Sequence, residues 1–233
     1  MNRFIKRMYI TMGALILITL CFGLLTRKSF RDSSVNPETC GDAEVSLSEI
    51  NDDILTENID SKHYFDNDID DYDELFGKSD LIVVGKVEGK REVYNQAYKT
   101  KFRIHKIIKD ESSVNLPETI YVFEPSLFNF DAYEVGSGYN LMLDNTDYIL
   151  FLKHLEVPEG YHYKKDEAIT FLPVSSCFGK YALNDRRREE VIPSEEGLTY
   201  QDVKDMGLLT GKQDIVDTYN AIKYQINEKV DLR

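Results

Sequence analysis

The hydrophobic pattern changes character several times along the chain. Residues 8–25 (MYITMGALILITLCFGLL) are 18 consecutive positions without a charge. A helix of that length is about 27 Å long, close to the hydrocarbon thickness of a bilayer. Backbone polar groups in lipid must be paired within the segment, so such a run predicts a transmembrane helix. Arg3, Lys6 and Arg7 precede it, and Arg27, Lys28 and Arg31 follow it. The expectation is a signal anchor over 8–26 behind a cytoplasmic tail, 1–7. A cleaved signal peptide, a lipoprotein signal ending at Cys21 and a buried core helix are the competing readings. Thr26-Arg27-Lys28 lacks the small residues of a cleavage site, and Leu20 is too bulky to precede a lipidated cysteine. Cations flank the run almost equally, so the positive-inside rule casts no clear vote. The short N-terminal tail and long C-terminal region fit a single-pass protein of the cell membrane with its domain outside the cytoplasm.

Residues 27–62 are polar and acidic and read as a tether, with a short helix over 46–55 as an option. In 63–77, Phe65, Ile69, Tyr72 and Phe76 recur at helical spacing, with acidic residues between them. This predicts a helix ending near Gly77. The pattern then turns to β-branched runs: Leu81–Val87, 98–109, 118–124, 148–154, 161–163, 168–174 and 178–183. The alternation through Phe102 and Ile104 slips at Ile107-Ile108, which predicts a bulge. Several short strands bounded by turn residues predict a mainly β domain, a small antiparallel OB-like barrel over 63–190. The chain closes with a helical extension over 191–233. It has one helix capped by Thr199 and another carrying Ile215, Tyr219, Ile222, Ile226 and Val230 as its apolar stripe.

Charge narrows the partners. The chain has 28 basic and 41 acidic side chains, and all of residues 1–31 hold six cations and no acid. Residues 32–233 therefore carry a net charge of −19. A field of that sign repels phosphate backbones and excludes nucleic acid as a partner. With no Trp, the 15 Tyr and 12 Phe must supply the aromatic core. Cys21 lies in the apolar run, while Cys40 and Cys177 are either one disulfide or two thiols.

The order of motifs after the tether resembles a known pattern. Ser79-Asp80-Leu81-Ile82-Val83-Val84-Gly85-Lys86-Val87 opens it, and Ile107-Ile108-Lys109 and Ile120-Tyr121-Val122 follow. Asp147-Tyr148-Ile149-Leu150-Phe151-Leu152-Lys153 and Cys177-Phe178-Gly179-Lys180-Tyr181 complete it. Over roughly 63–183 this resembles exported bacterial OB-fold proteins related in shape to the netrin-like domain of tissue inhibitors of metalloproteinases. The resemblance implies a barrel opened by the first strand and crossed by the fourth. Inhibition by the animal relatives uses a mature N-terminal cysteine, and no residue here matches that end.

Candidate chemistry is sparse. Asp66, Asp68 and Asp70 occupy the first, third and fifth positions of an EF-hand-like loop, but Asp71 and Gly77 stand where Gly and Glu are required. They remain weak divalent-cation candidates. His63, His105, His154 and His162 share no ligand motif, and Ser175-Ser176-Cys177 lacks a recognisable catalytic partner. Arg186-Arg187-Arg188 and the glutamates after them read as a solvated loop. No catalytic residue, metal or cofactor is expected. The function expected is a membrane-anchored binding or structural module for a protein or envelope component. A surface protease inhibitor or hydrolase-associated domain is the alternative, and a sensor signalling through the anchor is a third reading.

Overall fold

The computed structural model describes residues 3–29, 34–35, 37–48, 64–94, 96–155, 157, 160–183, 187–194 and 196–230. The chain divides into two compact units, 1–34 and 35–233. The first contains helix α1 (Arg3–Ser29), 27 residues long. Among the described residues no helix is long and apolar enough to cross a membrane.

The second unit is mainly β. Its elements are β1 (Glu44–Ser48), α2 (Tyr72–Lys78), β2 (Leu81–Val87), β3 (Arg91–Tyr94), β4 (Ala97–Asp110), β5 (Thr119–Glu124) and β6 (Ser126–Asn129). There follow β7 (Ala132–Gly136), β8 (Asp147–His154), β9 (Thr170–Pro173), β10 (Lys180–Ala182), α3 (Tyr200–Val203) and α4 (Gln213–Lys229). Five strands close a barrel in the spatial order β4-β2-β8-β9-β5, and β5 pairs back onto β4. Four of the pairings are antiparallel, but β9 runs parallel to β5, with Thr170 opposite Tyr121. The expected all-antiparallel barrel is corrected at this seam.

Strands β2 and β8 read as continuous apolar runs because both of their faces are buried. Leu81, Val83, Leu150 and Leu152 point into the barrel with Phe102, Ile120, Val122 and Phe171. Ile82, Val84, Ile149 and Phe151 point outward, under Tyr72 and Leu75 of α2 and Tyr219, Ile222 and Ile226 of α4. The phase slip read from Ile107-Ile108 is present. Val83 pairs with Ile107 while Ile82 pairs with Lys109, and a second shift leaves Gly85 opposite Ile104. A Cβ at Gly85 would collide with the Arg103 carbonyl, so only glycine permits this approach.

Three further expectations are corrected. Helix 63–77 is reduced to α2, because the Asp71 carboxylate caps it by accepting the Glu74 N–H at 2.9 Å. The segment before it is extended and tied down by Asn67, whose Oδ1 accepts from Ser175 Oγ at 2.7 Å and Ser176 N at 3.1 Å. Within 27–62, β1 is a strand rather than tether or helix. It pairs in parallel with β7, and Val45 N donates to the Leu198 carbonyl at 2.9 Å. Positions 49–55 lie outside the described residues. Finally, 161–163 is loop, not strand; on α4 the expected stripe packs against the core, Ile215 and Val230 partly buried, and Val216 is buried beside it. The Thr199 cap holds, as a capping box with Asp202.

Candidate functional site

The acidic run gathers around a cation of the chain itself. The Lys78 ammonium sits among its oxygens, 2.7 Å from Asp66 Oδ2, 2.7 Å from Glu74 Oε1 and 3.4 Å from the Asp68 carbonyl. Asp70 contributes its N–H to Glu74 Oε2 at 2.9 Å. The chain's own cation occupies the focus where a divalent ion was considered. Among the described residues, no three His, Cys, Asp or Glu side chains gather to hold a metal ion. Cys40 and Cys177 form no disulfide. Burial pushes the Cys177 thiol up to about 11, and Sγ donates to the Ser137 carbonyl at 3.1 Å, so it is held as a thiol rather than a thiolate nucleophile. His63 lies outside the described residues, and His105 faces Asp147 at 3.2 Å.

A groove of about 850 Å³ lies against the barrel. Its floor is Ala97 and Lys99 of β4, Phe123 of β5, and Thr170 and Leu172 of β9. Alternation along β5 sets the floor: Phe123 faces the groove, and its neighbour Glu124 is fully buried on the other side. The end of β3 supplies Tyr94, its connection to β4 Gln96, and the β8–β9 connection Leu155, Val157, Tyr161 and Tyr163. Tyr64 and Phe65 line it as well.

The aromatic rings are fixed against one another. Tyr94 and Phe123 have centroids 5.2 Å apart, and Tyr161 stands perpendicular to Tyr163 at 6.3 Å. The β8–β9 connection is braced from within. Tyr163 Oη lies 2.6 Å from His154 Nδ1 and 2.7 Å from the Leu155 carbonyl, while His154 Nε2 reaches the Ala168 carbonyl at 2.9 Å. Tyr161 donates to Glu167 Oε2 at 2.8 Å, as does the Lys164 N–H. These two donors hold the Glu167 carboxyl below its usual range, the backbone donor first. The Lys99 ammonium is 2.6 Å from Asp166 Oδ2 and 4.4 Å from the Tyr121 ring centroid. Its hydrogen bond likewise lowers the Asp166 carboxyl. The groove's cation is therefore neutralised, while Glu134 and Glu167 add negative charge at its wall. This arrangement offers aromatic faces and hydrogen-bond acceptors.

Sequence reading missed the groove because its rings come from four separate segments. The only signal was the abundance of tyrosine without tryptophan. It also missed the most buried ion pair, in which Arg91 Nε donates to Glu124 Oε1 at 3.0 Å and Nη2 to the Met142 carbonyl. Comparison of the chain with protein families, curated proteins and solved structures finds no match.

Proposed function

We propose that this chain is an anchored extracytoplasmic binding module whose barrel groove takes an uncharged, ring-bearing chain, an oligosaccharide of the cell envelope. The aromatic groove across β4, β5 and the β8–β9 connection carries the reading. In OB barrels the second and third strands and the connections between strands one and two and between four and five form the ligand face. Counting the barrel strands in chain order, the order here is 1-2-3-5-4-1 with the parallel pair between three and five, and the groove lies on that same face. Sugar rings present apolar faces and hydroxyl edges, which suit tyrosine rings alternating with carboxylates and the Gln96 amide. The neutralised Lys99 and the negative charge of Glu134 and Glu167 in the wall disfavour polyanions. The 18-residue uncharged run at 8–25 supports the anchor.

Binding is tested on the full chain in detergent against neutral oligosaccharides. Tyr94→Ala and Tyr161→Ala each remove a rim ring and should weaken binding by about tenfold. Unchanged affinity in the double variant rules the groove out. Alkaline extraction of native membranes tests the anchor: the chain should stay in the pellet, and its release to the supernatant would refute the anchor alone.

A further inference from the structure

A second recess shares no lining residue with the groove. It is a cavity of about 320 Å³ between β10, the segment 204–207 and α4. Its chemistry is the reverse of the groove's. Among the described residues, Lys180, Arg187, Lys204 and Lys223 line it with Glu189 and Asp205. In a chain whose formal net charge is −13, a recess with a cationic excess is out of keeping with the rest of the molecule.

The cations are not equally satisfied. Lys223 donates to the Arg187 carbonyl at 2.9 Å and faces Glu189 Oε1 at 3.4 Å. Arg187 donates to the Asp205 carbonyl at 2.8 Å, and Lys204 to Gln201 Oε1 at 3.1 Å. Lys180 is only 4% exposed, yet its three ammonium protons meet a single long hydrogen bond, 3.4 Å to the Gly207 carbonyl. Otherwise it rests between two rings, 5.1 Å from the Tyr139 centroid and 5.2 Å from Tyr148. Its place is fixed from the backbone, where Tyr219 Oη donates to the Lys180 carbonyl at 3.2 Å. A buried ammonium with donors to spare, facing a cavity, is an incomplete site.

We propose that this cavity binds a small oxyanion, a phosphate or carboxylate group, seated between Lys180 and Lys223. An oxyanion there accepts the unused Lys180 protons in charge-assisted hydrogen bonds. It also relieves the crowding of two buried lysines around one carboxylate, Glu189. Two tyrosine rings favour the charged amine without hydrogen-bonding it, which leaves its donors for the ligand. Burial pulls the Lys180 ammonium down to about 8, opposed by the charges of Glu124 and Glu189, so at neutral pH it is still a cation.

The test uses the full chain in detergent, melted in inorganic phosphate, in acetate and in sodium chloride at matched ionic strength. Phosphate or acetate should raise Tm above the chloride control, since a ligand of the folded state stabilises it by mass action. The arm with the larger rise identifies the oxyanion. Lys180→Met should fold, show no oxyanion-dependent rise, and bind the effective anion at least about tenfold more weakly by calorimetry. Equal shifts in all three salts, or an undiminished shift in Lys180→Met, overturns the proposal. Should that variant not fold, acetylation of the wild-type chain replaces it. Phosphate or acetate should protect Lys180 while exposed Lys101 reacts unchanged, and equal labelling of Lys180 with and without anion overturns the site.

Discussion

The groove and the cavity are two recesses of one domain with opposite settlements of charge. In the groove, the cation Lys99 is closed by Asp166 at 2.6 Å and the remaining surface is aromatic. In the cavity, Lys180 is buried with one long hydrogen bond. A third buried cation sets the scale. Arg91, 2% exposed, is met by Glu124 at 3.0 Å, by Asp144 at 3.3 Å and by the Met142 carbonyl. Burying a charge is tolerable when each nitrogen has an acceptor, as at Arg91. Lys180 departs from that rule inside the same fold, and such departures mark sites that bind rather than sites that merely hold.

The largest expected effect breaks the satisfied case. Glu124 also receives Thr100 Oγ1 at 2.6 Å and the Met142 N–H at 2.8 Å, so Glu124→Gln leaves Arg91 buried against a neutral partner. It should cost on the order of 3–5 kcal/mol in urea unfolding. Loss below about 1 kcal/mol would show that Arg91 and Lys180 are not different in kind.

Lys180→Met should act in the opposite direction. The folded-state value is lowered to about 8 from 10.5, so the unfolded chain binds more protons between those values and stability rises with pH across that window. Below about pH 8 the full penalty applies. Removing the amine should therefore stabilise the protein at pH 7 by on the order of 1–3 kcal/mol and flatten its stability between pH 8 and 10. Above pH 10 the trend reverses, because Tyr133, Tyr139 and Tyr181 are held protonated by burial. A destabilised Lys180→Met with an unchanged pH profile would place Lys180 with Arg91 as a structural cation.

The smallest effect sharpens the groove. Tyr163→Phe removes the hydroxyl joining His154 to the Leu155 carbonyl and should cost about 1 kcal/mol. Hydrogen exchange should quicken in the β8–β9 connection while β2 and β8 keep their protection. Uniform loss of protection would mean that the brace belongs to the barrel rather than to the groove wall.

The barrel was legible because burial on both faces leaves a mark in one segment, as in Leu81–Val87 and Tyr148 to Leu152, and because the slip at Ile107-Ile108 records a bulge directly. What failed was carried by distant partners. β1 is polar at every other position and owes its structure to β7, nearly ninety residues on, and to Leu198. The stripe of Phe65, Ile69, Tyr72 and Phe76 has helical spacing, but Asn67 holds its first half extended against Ser175 and Ser176. The hairpin β6–β7 carries no strong turn signal at its tip, where Phe130 takes a positive φ. Neither recess could be read. Lys180 was visible only as part of a strand motif, and its neighbours Tyr139, Tyr148, Gly207 and Lys223 come from four other segments.

The measurement closest to the central claim sets the full chain in detergent, wild type beside the Tyr94→Ala/Tyr161→Ala double variant, on an array of neutral oligosaccharides, cationic peptides and anionic polysaccharides. The account predicts wild-type binding to neutral oligosaccharides that is lost in the double variant, with no binding to the anionic probes. Binding confined to polyanions, binding that survives in the double variant, or no binding to any oligosaccharide would contradict it.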